Sequence, residues 1–220
     1  MTISWLLLQL SDSALPTGGF AHSGGLESLA QQKQVVEPAD LRRFLRDALW
    51  QTGHFALPLV AAAHDDPSSL VRLDQRAEAF LSNPIANRAS RTQGRAFLET
   101  CARIFPEVLL SLRQNAATTG LRWHHAPIFG AVLKALGIER LAAQQLFLSL
   151  TVRGLLFAAV RLGLAGTHQA QRLQHELIPA MDAVLKACAD LRENQLAQTA
   201  PLADLFSSMH DRLYSRLFQS

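Results

Sequence analysis

Leu146-Phe-Leu-Ser-Leu-Thr-Val-Arg-Gly-Leu-Leu-Phe-Ala-Ala-Val160 is the stretch whose reading decides the fold. Its leucines, phenylalanines and valines fall on nearly every face of a 3.6-residue period, with no strand-like alternation of apolar and polar side chains. A helix that is apolar all round belongs at the centre of a bundle. Arg153 and Arg161 interrupt the run, which argues for burial in protein rather than a membrane span. The helix is expected over about residues 139–164, with Gly163 and Gly166 ending it.

The helical period recurs on both sides of this segment. Leu41, Phe44, Leu45, Ala48 and Leu49 share one face, with Arg42, Arg43, Arg46 and Asp47 opposite. Pro38 suits a first helical turn. Asp66-Pro67 and Asn83-Pro84 each read as an N-cap followed by proline, starting helices near 67–82 and 84–105. Pro106 stops the second, and a helix near 107–118 follows, then a loop through Gly120 to His125. Pro127 starts another helix, which Gly137 terminates after Leu136. Thr167 caps a helix near 168–192, kinked at Pro179. Residues 194–201 read as a linker. Beyond it, Leu202, Leu205, Phe206, Met209, Leu213 and Leu217 make one apolar stripe. The expected fold is all-α: a single-domain helical bundle of about nine or ten helices over residues 1–193, then a linker and a C-terminal amphipathic docking helix over 194–220.

Composition agrees with that class and narrows the partners. A chain of 220 residues buries roughly 70% of its unfolded surface and needs no disulfide or metal to fold. Valine and isoleucine together number only 15. At 49% apolar and 18% charged the chain is not disordered. The net charge is +3, and the arginines are interleaved with acids, so no basic arm for nucleic acid is read. Cys101 and Cys188 lie in apolar helical patterns and are expected as buried free thiols. With neither a secretion-type leader nor a membrane span read, a cytoplasmic location is expected.

Four glycines within eight residues (Gly18, Gly19, Gly24 and Gly25) are unusual in a helix-forming chain, and suit a tight turn with φ > 0. Ala21-His-Ser-Gly-Gly25 nearly matches the nucleophile elbow, but no strand precedes Ser23, which reads as an N-cap. An anion nest at a helix N-terminus is the other reading, and the P-loop spacing and its lysine are missing. His124 and His125 are adjacent and point about 100° apart, while His168 and His175 share a helical face. None has a metal-ligand partner nearby, so they read as loop or surface histidines. Arg88, Arg91 and Arg95 share a face, with Glu99 four residues on; this is either a salt-bridged, solvated stripe or a partner-binding one. Tyr214-Ser-Arg-Leu-Phe-Gln-Ser220 is too apolar to fray, and must bury itself in its own bundle or in a partner groove.

Leu8-Gln-Leu-Ser-Asp-Ser-Ala-Leu-Pro-Thr-Gly-Gly-Phe-Ala-His-Ser-Gly-Gly-Leu-Glu27 resembles the opening of the urease accessory protein F (UreF) family. The resemblance continues at Pro127-Ile-Phe-Gly130 with Ala135-Leu-Gly137, at Ala158-Ala-Val-Arg-Leu-Gly163 with Gly166, and at Tyr214-Ser-Arg-Leu-Phe218. It implies an all-helical, non-catalytic protein without metal or cofactor of its own. It also implies a homodimer that binds the urease accessory D protein (called H in some organisms) and the accessory GTPase G. Their complex acts on apo-urease, with GTP hydrolysis accompanying nickel delivery. The F protein would be the adaptor; the alternative is a GTPase-activating or gating protein that supplies an arginine. Neither nucleic acid nor membrane is an expected partner. Carried onto this sequence, the partner-binding residues are Pro16, Thr17, Gly18, Gly19, Phe20 and Ser23 in the opening block, and Tyr214, Arg216, Leu217 and Phe218 in the tail.

Overall fold

The computed structural model describes residues 4–220, and the description below is of those residues. They form eleven α-helices and no strand, with connections that are short except over residues 11–25 and 189–200. In chain order these are α1 (Trp5–Leu10), α2 (Leu26–Gln31), α3 (Pro38–Asp65), α4 (Leu70–Phe80), α5 (Pro84–Ile104), α6 (Pro106–Thr118), α7 (His125–Ala135), α8 (Arg140–Arg161), α9 (Thr167–Glu176), α10 (Ile178–Cys188) and α11 (Pro201–Ser208).

Several helix starts follow the expected chemistry; Thr167 does not, since Gly166 holds the N-cap position of α9 and Thr167 is its first residue. Pro38 opens α3 behind a reciprocal capping box of Glu37 and Asp40. The Asn83 side chain accepts from the amides of Ile85 and Ala86 to start α5. Asp66 caps in the same way, but the turn it starts, Pro67–Ser69, is 3-10 before α4 begins. Pro179 does more than kink. With no N–H to donate back along a helix, it separates α9 from α10 at Leu177.

The centre of the bundle is not the segment the sequence singles out. Ala126 through Leu133 of α7 are buried without a break, and α7 packs on α3 and α5. A Cβ on Gly130 would stand 2.2 Å from the Val60 carbonyl oxygen, so only glycine lets α7 lie this close to α3. Helix α8 packs on α3 and α9 and buries ten residues, yet leaves Leu141 and Phe157 exposed. It is long and apolar enough to cross a membrane, with 56% of its most apolar window buried in the bundle. Phe97, Phe129 and Phe147 join α5, α7 and α8, with ring centroids 4.9 and 5.1 Å apart.

The C-terminal helix is shorter than its stripe predicts. Helix α11 ends at Ser208, a 3-10 turn covers His210–Arg212, and Leu213 is extended. Leu213 and Leu217 therefore lie beyond the helix.

Candidate protein-docking site

The glycine block and the tail, nearly 200 positions apart, are built into one surface. Residues 16–25 run across the ends of α5 and α8: the Pro16 carbonyl accepts from Thr100 Oγ1 at 2.8 Å, and Gly19–Ala21 make a 3-10 turn. Gly25 has φ 89°, and a Cβ there would stand 2.9 Å from that of Ser207. Only glycine gives both the left-handed turn and the room for α11 to cross α2. Ser28 Oγ then donates to the Phe206 carbonyl at 2.6 Å and ties the two helices together.

The tail lies along the same block. Gln219 N donates to Ala21 O at 2.8 Å, and Ser23 N donates to Ser220 O at 2.6 Å. Beneath this pairing sits Glu27, only 1% exposed. Its carboxylate accepts from the amides of Leu217 (2.6 Å) and Phe218 (3.2 Å) and meets Nε2 of the fully buried His210 at 3.0 Å. Above it, the Arg161 guanidinium donates to the carbonyls of Phe20 and Leu217 and lies 4.2 Å from the centre of the Phe218 ring. Arg88 and Arg216 both pair with Asp211 beside it.

The ten sequence-selected residues thus share one region in two roles. Ser23 and Phe218 are buried and fasten the tail, while Thr17 and Gly19 are half-buried. Pro16, Gly18, Phe20, Tyr214, Arg216 and Leu217 are exposed. Phe20 packs edge-on to Phe157, 5.0 Å between centroids. The N-cap position is Gly25 rather than Ser23, but Ser23 Oγ does accept from the Glu27 amide in the first turn of α2, at 3.4 Å, and it donates to Ser220 O at 3.0 Å. A buried serine preceded by a 3-10 turn is no nucleophile elbow. Glu27, His210 and Arg161, the residues that hold the surface together, escape the sequence reading. Their signal is a pairing across the whole chain.

The histidines at 124 and 125 are not surface groups. His124 is fully buried, 2.8 Å from a Glu78 carboxylate oxygen and 3.2 Å from Ser90 Oγ, and its hydrogen bond is the main cause holding the Glu78 carboxyl below its usual range. His125 packs among Phe97, Phe129 and Phe147, and burial there lowers its pKa to about 4, with His22 adding to the effect. His22 is also lowered to about 4, by burial first and then by Arg88 and His210. Its Nδ1 lies 2.6 Å from Ser220 Oγ, while its Nε2 has no hydrogen-bond partner among the described residues. Both histidines line a cavity of about 370 Å³ under the glycine block, with Phe44, Phe55 and Phe147. The two cysteines are buried and free, and burial raises the Cys101 thiol to about 12.

Fold and surface together define an all-α bundle that assembles two distant segments into one exposed face. Among the described residues, no group of three or more His, Cys, Asp or Glu is placed to hold a metal ion. The UreF family model matches residues 35–178. The chain is 38% identical over 219 residues to urease accessory protein F of Oryza sativa subsp. indica, covering 97% of this chain and 84% of that one. It is 37% identical to that of Arabidopsis thaliana (99% and 93% covered) and 32% identical to UreF of Trichodesmium erythraeum strain IMS101 (96% and 94% covered). The chain belongs to the urease accessory protein F family.

Proposed function

We propose that this chain is a non-enzymatic adaptor of urease maturation in the cytoplasm. It works as a homodimer and bridges the accessory D/H protein and the accessory GTPase while nickel, the cargo, is inserted into apo-urease with GTP hydrolysis. Family membership supports the pathway. The observation that carries the adaptor role is the joint surface of the glycine block and the tail. Phe20, Phe157 and Leu217 are exposed around Arg161, with Tyr214 fully exposed on the same tail. Apolar and aromatic side chains on a rigid polar frame are what protein interfaces use as anchors.

The test is capture of the D/H protein by full-length chain carrying Leu217→Asp with Tyr214→Ala. Both side chains are exposed, so the melting temperature stays near that of the parent while capture falls at least tenfold. Undiminished capture overturns the adaptor surface. Single-turnover GTP hydrolysis by the accessory GTPase, with and without the chain, separates adaptor from activator. An arginine supplied in trans would accelerate it by roughly 10³–10⁵-fold; an adaptor leaves the rate within a few-fold.

A further inference from the structure

Arg88, Arg91 and Arg95 of α5 do not form the salt-bridged stripe with Glu99 that their spacing allows, since Glu99 pairs with Arg113 of α6. They line a groove of about 740 Å³ whose other wall is Arg122 and Trp123. Arg88 is held by Asp211 at one end. Among the described residues, the other three guanidiniums form no ion pair: Arg91 Nε donates to the Arg122 carbonyl, Arg95 lies 5.5 Å from the centre of the Trp123 ring, and Arg122 engages only through its backbone. The one acid lining the groove among the described residues is Glu78; it is hydrogen-bonded to His124, and the Arg91 charge is the last and smallest of the causes holding its carboxyl low.

The second wall is held in place from beneath. Trp123 has φ 73°, a left-handed conformation rare for a large side chain. Strain of this kind persists only where the surroundings over-determine it, and it gathers at binding sites. Here Asp74, 1% exposed, accepts from the amides of both Arg122 and His124. Gly94 lets the loop press onto α5, since a Cβ there would stand 2.2 Å from the Trp123 carbonyl oxygen. Ser90 Oγ also accepts from the His125 amide. A buried carboxylate, a glycine contact and a strained tryptophan are thus combined to set Arg122 and Trp123 opposite the α5 arginines.

We infer that this groove is the docking site for an acidic segment of a partner protein. Unpaired guanidiniums along one wall take carboxylates, often through two parallel hydrogen bonds, and Trp and Arg are the side chains most enriched where binding energy concentrates. Arg88 to Arg95 spans about 10 Å of helix, which sets the distance over which the segment presents its acids. A nucleic acid fits less well. It would need free aromatic faces for its bases, and Arg95 already lies against Trp123, the only aromatic ring among the described residues lining the groove. The inference stands apart from the adaptor reading, because Arg91, Arg95, Arg122 and Trp123 carry no part of that one; only Arg88, through Asp211, touches both regions.

The experiment is fluorescence anisotropy at low ionic strength. Full-length chain is titrated against a labelled peptide with glutamates three and four residues apart, its glutamine counterpart, and an oligothymidylate. The Glu peptide is expected to bind at least tenfold tighter than the Gln peptide, and tighter than the oligothymidylate. Arg91→Glu with Arg122→Glu should abolish the difference, and Arg91→Lys with Arg122→Lys, which keeps the charge and controls for folding, should retain most of it. No binding of the Glu peptide, equal binding of the Gln peptide, or an unaffected charge reversal overturns the inference. Tighter binding of the oligothymidylate overturns it in favour of nucleic acid.

Discussion

Glu27→Gln is the sharpest probe of how the joint surface is held. In the parent, Oε1 accepts from Leu217 N, while Oε2 accepts from Phe218 N and meets His210 Nε2. Glutamine keeps the shape and one acceptor oxygen. Its better orientation turns that oxygen to Phe218 and His210, and sets its NH2 against the Leu217 amide, donor facing donor. A buried donor left unmade costs about 1–3 kcal/mol, and more where the lost acceptor was charged. The cost falls on the tail rather than on the α3–α7 core, so it appears as local opening. An opening free energy lowered by 1–3 kcal/mol speeds exchange by roughly 5–150-fold. Hydrogen–deuterium exchange followed by mass spectrometry reads this at the peptide covering residues 213–220, with a peptide from residues 126–133 as internal reference. Unchanged exchange in the tail would refute the reasoning. So would an equal acceleration in α7, because Glu27 would then support the whole bundle.

Gly94→Ala gains helix propensity but drives a methyl into the Trp123 and His124 backbone. A net loss of about 1–3 kcal/mol is expected, read as a fall in thermal midpoint. His22 and His125, both with folded pKa values lowered to about 4, leave the unfolded chain holding more protons between that pH and its ordinary 6.5. Stability is therefore full above pH 6.5 and drains as pH falls towards 4, by a few kcal/mol in all. Urea melts at pH 7, 6 and 5 should show this, and His125→Phe should flatten the slope; an unchanged slope would be contrary evidence. Cys101, buried with its thiol pushed up to about 12, should resist iodoacetamide at pH 8 in folded protein and react once urea unfolds it.

The elements were legible where local chemistry sets them. Asn83-Pro84, Pro38 and the period around Leu41–Leu49 carry their own start signals and faces, and α5 and α3 begin where those signals say. What failed was non-local. Helix α8 reads as the most apolar segment, but α7 takes the centre because Gly130 admits it closest to α3, a property of packing that hydropathy does not register. The stripe from Leu202 to Leu217 has helical spacing throughout. Its last third lies outside the helix, and the amides of Leu217, Phe218 and Gln219 donate to Glu27 and Ala21, acceptors that only the folded chain brings near. At the surface, the residues marked by family resemblance lie together. The side chains that hold them there, Glu27, Arg161 and His210, look like any acid, arginine and histidine until the pairing is seen.

The pairing of residues 21–23 with 219–220 also bears on the order of folding. Closing a loop of about 200 residues costs roughly 4–5 kcal/mol of chain entropy before any contact across it is rewarded. The few hydrogen bonds of that pairing cannot meet this cost alone. The helices between must first bring the two segments within reach, so this surface forms last. A protein that docks on it therefore meets only finished bundles. The surface is complete only on a finished bundle, and a chain that has not closed this loop does not carry it.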